Sequence, residues 1–247
     1  MLDYDGKEAE RYDASRGGEP RAAAAAAGVL SLVPPDARSL LDVACGTGIV
    51  TRRLAAAREG MRVTGVDLSP AMARQATARL PGAVVLADSR RLPFRDGEFD
   101  AVCSVWLLHL AAGPADVRTI VGECARVLRP GGVYVTTVDK AASHNVGSDI
   151  DVVMSSRPPS PVRDAAADVE SCAAGHGLVP AGQARFRGHG QGRSPRRTVA
   201  DLRRGWFVTL PPGHPLADDF ATRLAELPDQ DRPRPDPFFT LRAFRKP

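Results

Sequence analysis

The sequence predicts an α/β fold in which a largely parallel sheet carries helices on both faces. Three observations predict it. From Ser39 to Asp139, short apolar runs of strand length alternate with longer runs of helix length. The apolar runs are continuous, as expected of strands covered on both faces. Glycine, proline or a capping serine marks most changes of element. At 247 residues the chain is one large domain, or one domain with a small appendage, and can bury roughly three quarters of its unfolded surface.

The elements follow in order. "EPRAAAAAAGVLSLVPP" reads as a helix with Pro20 near its start and Pro34 and Pro35 closing it. "SLLDVAC", Ser39 to Cys45, is a buried strand, and Gly46 to Gly48 turn the chain. "IVTRRLAAAREG" is a helix ended by Gly60, and "RVTGVD", Arg62 to Asp67, is the second strand. "SPAMARQATARL" is a helix with Ser69 as N-cap and Pro70 at its first position. "AVVLAD" is a strand ending at Asp88, and "FDAVCSVWLL" is the next, from Phe99 to Leu108. "PADVRTIVGECARVL" is a helix stopped by "RPGG", Arg129 to Gly132, and "VYVTTVD" is a strand ending at Asp139.

Beyond Asp139 the signals weaken. "SPVRDAAADVESCAAGHGL" reads as a helix ending at Gly175 to Gly177, and "VPAGQARFRGHG" as a strand. "TVADLRRGWF" and "LADDFATRLAEL" read as helices, "PDQDRPRPDP" as a loop and "FFTLRAFRK" as a final strand. A loop-rich half of this kind is where substrate specificity is expected.

Composition narrows the function classes. The chain is 43% hydrophobic and 25% charged, with a net charge of +4, which invites a nucleic-acid partner only weakly. Of its 33 basic residues only Lys7, Lys140 and Lys246 are lysines, and the arginines are spread thinly, most densely over Arg185 to Arg197. The four cysteines, Cys45, Cys103, Cys124 and Cys172, lie far apart and read as reduced thiols. The polar start "MLDYDGKEAERYD" does not read as a signal peptide, and Ala22 to Val33 is too short an apolar stretch to span a bilayer. A cytoplasmic protein is expected.

A strand running into a glycine turn and a helix points to a nucleotide-like ligand at the carboxyl ends of the strands. The three-glycine dinucleotide pattern is incomplete, because Thr51 stands where the third glycine belongs. Asp67 closes the second strand, 21 positions after Gly46 (67 − 46), and a carboxylate there can accept two ribose hydroxyls.

Five segments together resemble a known family. "LDVACGTG" resembles the first motif of class I S-adenosylmethionine-dependent methyltransferases, with Ala44 at the first glycine position. "VTGVDLSPAMARQA" is similar to the segment carrying the ribose-binding acid, and "LADSRRLPFRDGEFDAVCSVWLLHL" to the stretch whose Asp meets the adenine amino group. "ARVLRPGGVYVTT" resembles the family's helix, turn and fifth strand, and "YDGKEAERYDASRGGEP" its N-terminal signature. The resemblance covers roughly residues 4 to 139 and is closest to the small-molecule enzymes of bacterial natural-product pathways.

The resemblance implies a Rossmann-like, doubly wound, mostly parallel seven-stranded sheet with helices on both faces. It implies a single methyltransferase domain over 1–247: an N-terminal helical cap at 1–36, a cofactor-binding core at 37–139, and a C-terminal substrate-shaping half at 140–247. It implies S-adenosyl-L-methionine as cofactor, held by Tyr12, Arg16, Asp42, Ala44, Gly46, Gly48, Asp67, Leu68, Met72, Asp88, Ser89 and Ser104. Asp42 could reach the cofactor's ammonium through water or simply hold the turn; the former is preferred. Trp106 could pack on the adenine, shape the substrate pocket or belong to the core, while Trp206 reads as an anchor for the C-terminal half.

Methyl transfer asks the protein for alignment, desolvation and, for a hydroxyl nucleophile, a proton acceptor. His144 and His109 follow the fifth and fourth strands and are the candidate bases, on the expectation of near-neutral imidazoles. No metal is implied, since no ligand spacing such as HExxH occurs. The expected partner is a small-molecule acceptor, probed against an RNA- or protein-directed enzyme and a non-catalytic cofactor-binding protein; no nucleic acid or membrane partner is expected, and the state is a monomer or homodimer. A nicotinamide dehydrogenase is disfavoured by the missing third glycine and by the absence of a Tyr-x-x-x-Lys pair. The preferred reading is an O-methyltransferase acting on a hydroxyl of a secondary metabolite.

Overall fold

Leu40 and Leu41 are adjacent, fully buried, and belong to two different apolar clusters. Successive strand side chains point to opposite faces, so one strand feeds two cores only if both faces of its sheet are covered. In the computed structural model, which describes residues 12–207, 209–211 and 213–247, this is the arrangement.

In chain order the elements are α1 (Gly18–Leu30), β1 (Ser39–Val43), α2 (Ile49–Ala57), β2 (Arg62–Asp67), α3 (Pro70–Arg79), β3 (Val84–Leu86) and β4 (Phe99–Ser104). There follow α4 (Pro114–Val127), β5 (Leu128–Val138), α5 (Lys140–Ser143), α6 (Asp149–Val153), α7 (Ala166–Gly175), β6 (Val179–Arg187), α8 (Pro195–Arg203), α9 (Pro215–Ala225) and β7 (Phe238–Arg245). The strands form one seven-stranded sheet of order β3-β2-β1-β4-β5-β7-β6. The first five pair in parallel, while β7 runs antiparallel to both β5 and β6. The order reverses between β1 and β4, and a ligand crevice opens at such a switch point, outside the carboxyl ends of the strands.

One face is covered by α1 and α2, the other by α4 and α7. Helix α1 lies close because its inward residues are small: Ala22, Ala25 and Ala26 are buried, and a Cβ on Gly28 would come within 3.0 Å of Leu241. A third apolar cluster joins α6, α8 and α9 around Ile150, Leu202, Phe207 and Phe220, separate from the two sheet cores.

Most elements fall where the sequence puts them, Ser69 and Pro70 at the start of α3 included. Three differ. The strand expected to reach Leu108 stops at Ser104, because Trp106 takes φ 61° and its N–H donates to Thr137 Oγ1 at 2.8 Å; a single 3-10 turn follows at Leu108–Leu110. The helix expected from Ser160 starts at Ala166 because Asp164 is tied to the end of β5, accepting from the N–H groups of Asp139 and Lys140. Helices α5 and α6 are too short for periodicity to reveal.

Candidate active site

The turn that leaves β1 carries three left-handed residues: Ala44 at φ 60°, Gly46 at 58° and Gly48 at 76°. Its two glycines do different work. A Cβ on Gly48 would lie 2.9 Å from the Cα and Cβ of Ala76, so Gly48 also lets helix α3 approach the turn. Among the described residues a Cβ on Gly46 would meet nothing within 4 Å, so the backbone there is open to a ligand.

Asp67, at the end of β2, draws the edge together. Gly46 N–H donates to its Oδ2 at 2.7 Å and Ser69 N–H to its Oδ1 at 2.9 Å. These bonds fix both carboxylate oxygens at the end of β2, where the ribose hydroxyls are expected. Beside it Leu68 is 63% exposed, an apolar surface at the height of the acid. An open glycine cradle, a carboxylate and an apolar platform at one strand edge fit an adenosyl group.

The N-terminal segment closes on this edge through contacts that the sequence did not single out. Asp13 accepts from Thr47 Oγ1 at 2.7 Å and from Arg79 at 2.7 Å, while Arg79 also donates to the Thr47 carbonyl at 2.6 Å. Tyr12 packs on Ala71 and the buried Met72, and the Arg16 guanidinium stacks 4.5 Å above the Trp206 ring. Trp206 thus faces the N-terminal segment. Asp13 and Arg79 lie on separate segments, and only the fold brings them together.

Three expected cofactor residues have protein partners. Asp42 is buried, accepting from Thr51 Oγ1 at 2.6 Å and from Cys103 Sγ at 3.4 Å, so it holds the turn; burial pushes its carboxyl up to about 6. Ser104 is fully buried, bonded to Tyr134 at 2.7 Å and Thr136 at 2.9 Å between β4 and β5, and does not reach the edge. Asp88, beyond β3, takes a bidentate grip from Arg90, whose hydrogen bonds lower its pKa; Ser89 beside it is half-buried.

The two histidines do reach the edge, but not as near-neutral bases. His109 Nε2 lies 2.9 Å from Lys140 Nζ, and His144 packs edge-on against Phe239 with ring centroids 5.5 Å apart. Burial pushes His144 down to about 3, with Arg193, Lys140, Arg16 and Arg157 adding to it; burial and then Lys140 push His109 well below its ordinary value. Protonating either one adds charge to a buried, already cationic surrounding. Trp106 lines the same region, T-packed on Phe186 and Phe239 at 5.5 and 5.7 Å, with Arg21 stacked 4.2 Å from its ring.

Several arginines in and just after the dense basic stretch have partners. Arg187 pairs with Asp236, Arg196 with Asp231 and Arg204 with Asp201, while Arg193 turns inward beside Phe207.

Comparison with known proteins agrees with this geometry. Residues 41–136 match the family described as a methyltransferase domain. The chain is 40% identical over 139 residues to the dTDP-4-amino-2,3,4,6-tetradeoxy-D-glucose N,N-dimethyltransferase of Saccharopolyspora spinosa, covering 53% of this chain and 54% of that one. It spans only part, 30% to 54%, of the length of the curated relatives it matches. Among solved structures it resembles a chain of the complex between the Haloferax volcanii Trm112 methyltransferase activator and a methyltransferase, with TM-score 0.63, 19% identity and coverage of 100% of this chain and 99% of that one. It also resembles a geranyl diphosphate methyltransferase solved in complex with SAM, with TM-score 0.55, 20% identity and coverage of 94% and 91%. At these identities the structural likeness is one of fold. No helix among the described residues is long and apolar enough to cross a membrane.

Proposed function

The chain belongs to the class I S-adenosylmethionine-dependent methyltransferase family, and we propose that it transfers the cofactor's methyl group to a small-molecule acceptor by in-line displacement. The finer reading is O-methylation of a secondary-metabolite hydroxyl. Its resemblance to a nucleotide-sugar methyltransferase supports a small acceptor. The observation that carries the reading is the open backbone at Gly46 hydrogen-bonded to Asp67, where an adenosyl group can approach both.

When bound, S-adenosylmethionine supplies a methyl group on a positively charged sulfur, already a good electrophile. The chain then has to align, exclude water and remove a proton. Asp67 receives the ribose hydroxyls and Leu68 covers the base. Tyr12 and Arg16 face the methionine end, held in place by the Asp13–Thr47–Arg79 bonds. His144 and His109 are the proton acceptors of this reading, and each gains basicity only when an anion offsets the cations around it. In this reading residues 1–36 cap a cofactor core at 37–139, and 140–247 shape the acceptor site.

Gly46→Ala tests it. The new methyl group meets no atom of the described residues beyond its chain neighbours, so the fold tolerates it at a cost of about 1 kcal/mol for the left-handed backbone. Calorimetric titration should show S-adenosylmethionine affinity falling at least tenfold. Unchanged affinity in a folded variant would contradict the site.

A further inference from the structure

Five cations gather on the acceptor side of this edge: Arg16, Arg21, Lys140, Arg157 and Arg193. Two other partly buried arginines take acids: Arg234 takes Asp149 at 2.6 Å, and Arg79 takes Asp13. Among the described residues none of the five has a carboxylate within ion-pair distance. Nearby acids are spent on other partners. Asp13 holds Arg79 and Thr47, Asp151 caps α6, Asp201 holds Arg204, and Asp164 accepts the Lys140 backbone N–H.

Buried donors are left over in the same place. Arg21 is 4% exposed, yet its Nε–H has no partner, and neither do Trp106 Nε1 and His109 Nδ1. These groups are neighbours, since Arg21 stacks on Trp106 and His109 Nε2 meets Lys140 Nζ. His144 follows Lys140 by one turn and lines a narrow cavity with Arg193 and Gln191. Uncompensated buried charge is expensive, and orphaned buried donors are rare in a native chain. Their coincidence marks a place for an absent ligand with acceptor oxygens and negative charge. Burial, then Arg16, with Arg21 and Arg193 adding to it and Asp164 opposing, pushes Lys140 down to about 8, as in a cluster where positive charge predominates.

We propose that the acceptor carries an anionic headgroup, a phosphate or carboxylate, seated between Arg21, Lys140 and Arg193 beside His109 and His144. This deepens the methyltransferase reading and rests on it. The cofactor's own carboxylate neutralises one cation, and Arg16, stacked between Tyr12 and Trp206, stands at that end. Arg21, Lys140, Arg157 and Arg193 remain. A guanidinium fork and an ammonium group suit a multidentate oxyanion. The same anion offsets the charge that suppresses both imidazoles, so binding the acceptor prepares its own proton acceptor.

The test is calorimetric titration of the full chain loaded with S-adenosylhomocysteine, using inorganic pyrophosphate in one arm and malonate in the other, at fixed ionic strength. Saturable binding in either arm, reduced at least tenfold in both Lys140→Gln and Arg193→Gln but unchanged in the exposed Arg232→Gln, is expected. Homocysteine-product affinity should stay within twofold in every variant. Pyrophosphate alone would specify a phosphorylated acceptor, malonate alone a carboxylated one, and both a general oxyanion site. No binding in either arm, an equal loss in Arg232→Gln, or competition with S-adenosylhomocysteine would overturn the proposal. Failure of S-adenosylhomocysteine itself to bind would instead bring down the parent reading. Thermal melts guard against misfolding, since loss of an unpaired, half-buried cation should raise the melting temperature.

Discussion

The two sides of the strand edge treat charge in opposite ways. On the cofactor side, Asp13, Asp42 and Asp67 each have named donors: Arg79 and Thr47, Thr51 and Cys103, and the N–H groups of Gly46 and Ser69. On the acceptor side Arg21 is buried and Lys140 and Arg193 are half-buried, none ion-paired with an acid among the described residues, and donors remain unused. The first side is complete as folded protein. The second is complete only with a ligand, so it holds energy that folding alone would not retain.

Substitutions should therefore act with opposite sign on the two sides. Arg79→Ala leaves Asp13 half-buried without its cation and frees the N-terminal segment, and should cost about 2 kcal/mol in denaturant melts. Arg193→Met removes a half-buried, unpaired charge of similar length, and should gain about 1 kcal/mol while lowering turnover. Equal destabilisation by both would erase the contrast.

The pH dependence of stability sharpens it. His144 has a folded pKa near 3, below the unfolded value of 6.5, so the unfolded chain takes up its proton first on acidification. Its share of stability is full above pH 6.5 and is lost as pH falls from 6.5 to 3. His144→Gln should remove that loss, up to about 2 kcal/mol at pH 5, seen as a flatter curve of melting temperature against pH. An unchanged curve would show that the imidazole is not held neutral.

The smallest effect lies in the turn itself. Ala44 takes φ 60° without being glycine, and Ala44→Gly should relieve about 0.5–1 kcal/mol in thermal melts without altering cofactor affinity. A loss of stability would mean that the methyl group of Ala44, packed at the sheet core, outweighs the backbone strain.

The same contrast explains what the sequence made legible. Continuous apolar runs and capping residues are local signals, so the sheet, Ser69, Pro70 and the position of Asp67 could be read directly. Asp42 and Ser104 could not, because strand sequence gives a side chain's residue number and not which neighbour takes its hydrogen bond. The packing of Gly48 on α3 was not legible, because close approach to a ligand and to a helix need the same residue. The cationic site was hidden because its members come from α1, α5 and the loops after α6 and β6. One faint trace was present: Arg21 interrupts the start of an alanine run, and Lys140 is one of three lysines, placed directly after β5.

The most direct test of the central claim is titration of S-adenosylmethionine into the wild-type chain and into Asp67→Ala, with thermal melts as a folding control. Saturable binding to the wild type and a loss of more than about tenfold in the variant, as expected for removing a charged acceptor, are predicted. Equal affinity in two folded proteins would contradict the assignment of this edge to the cofactor.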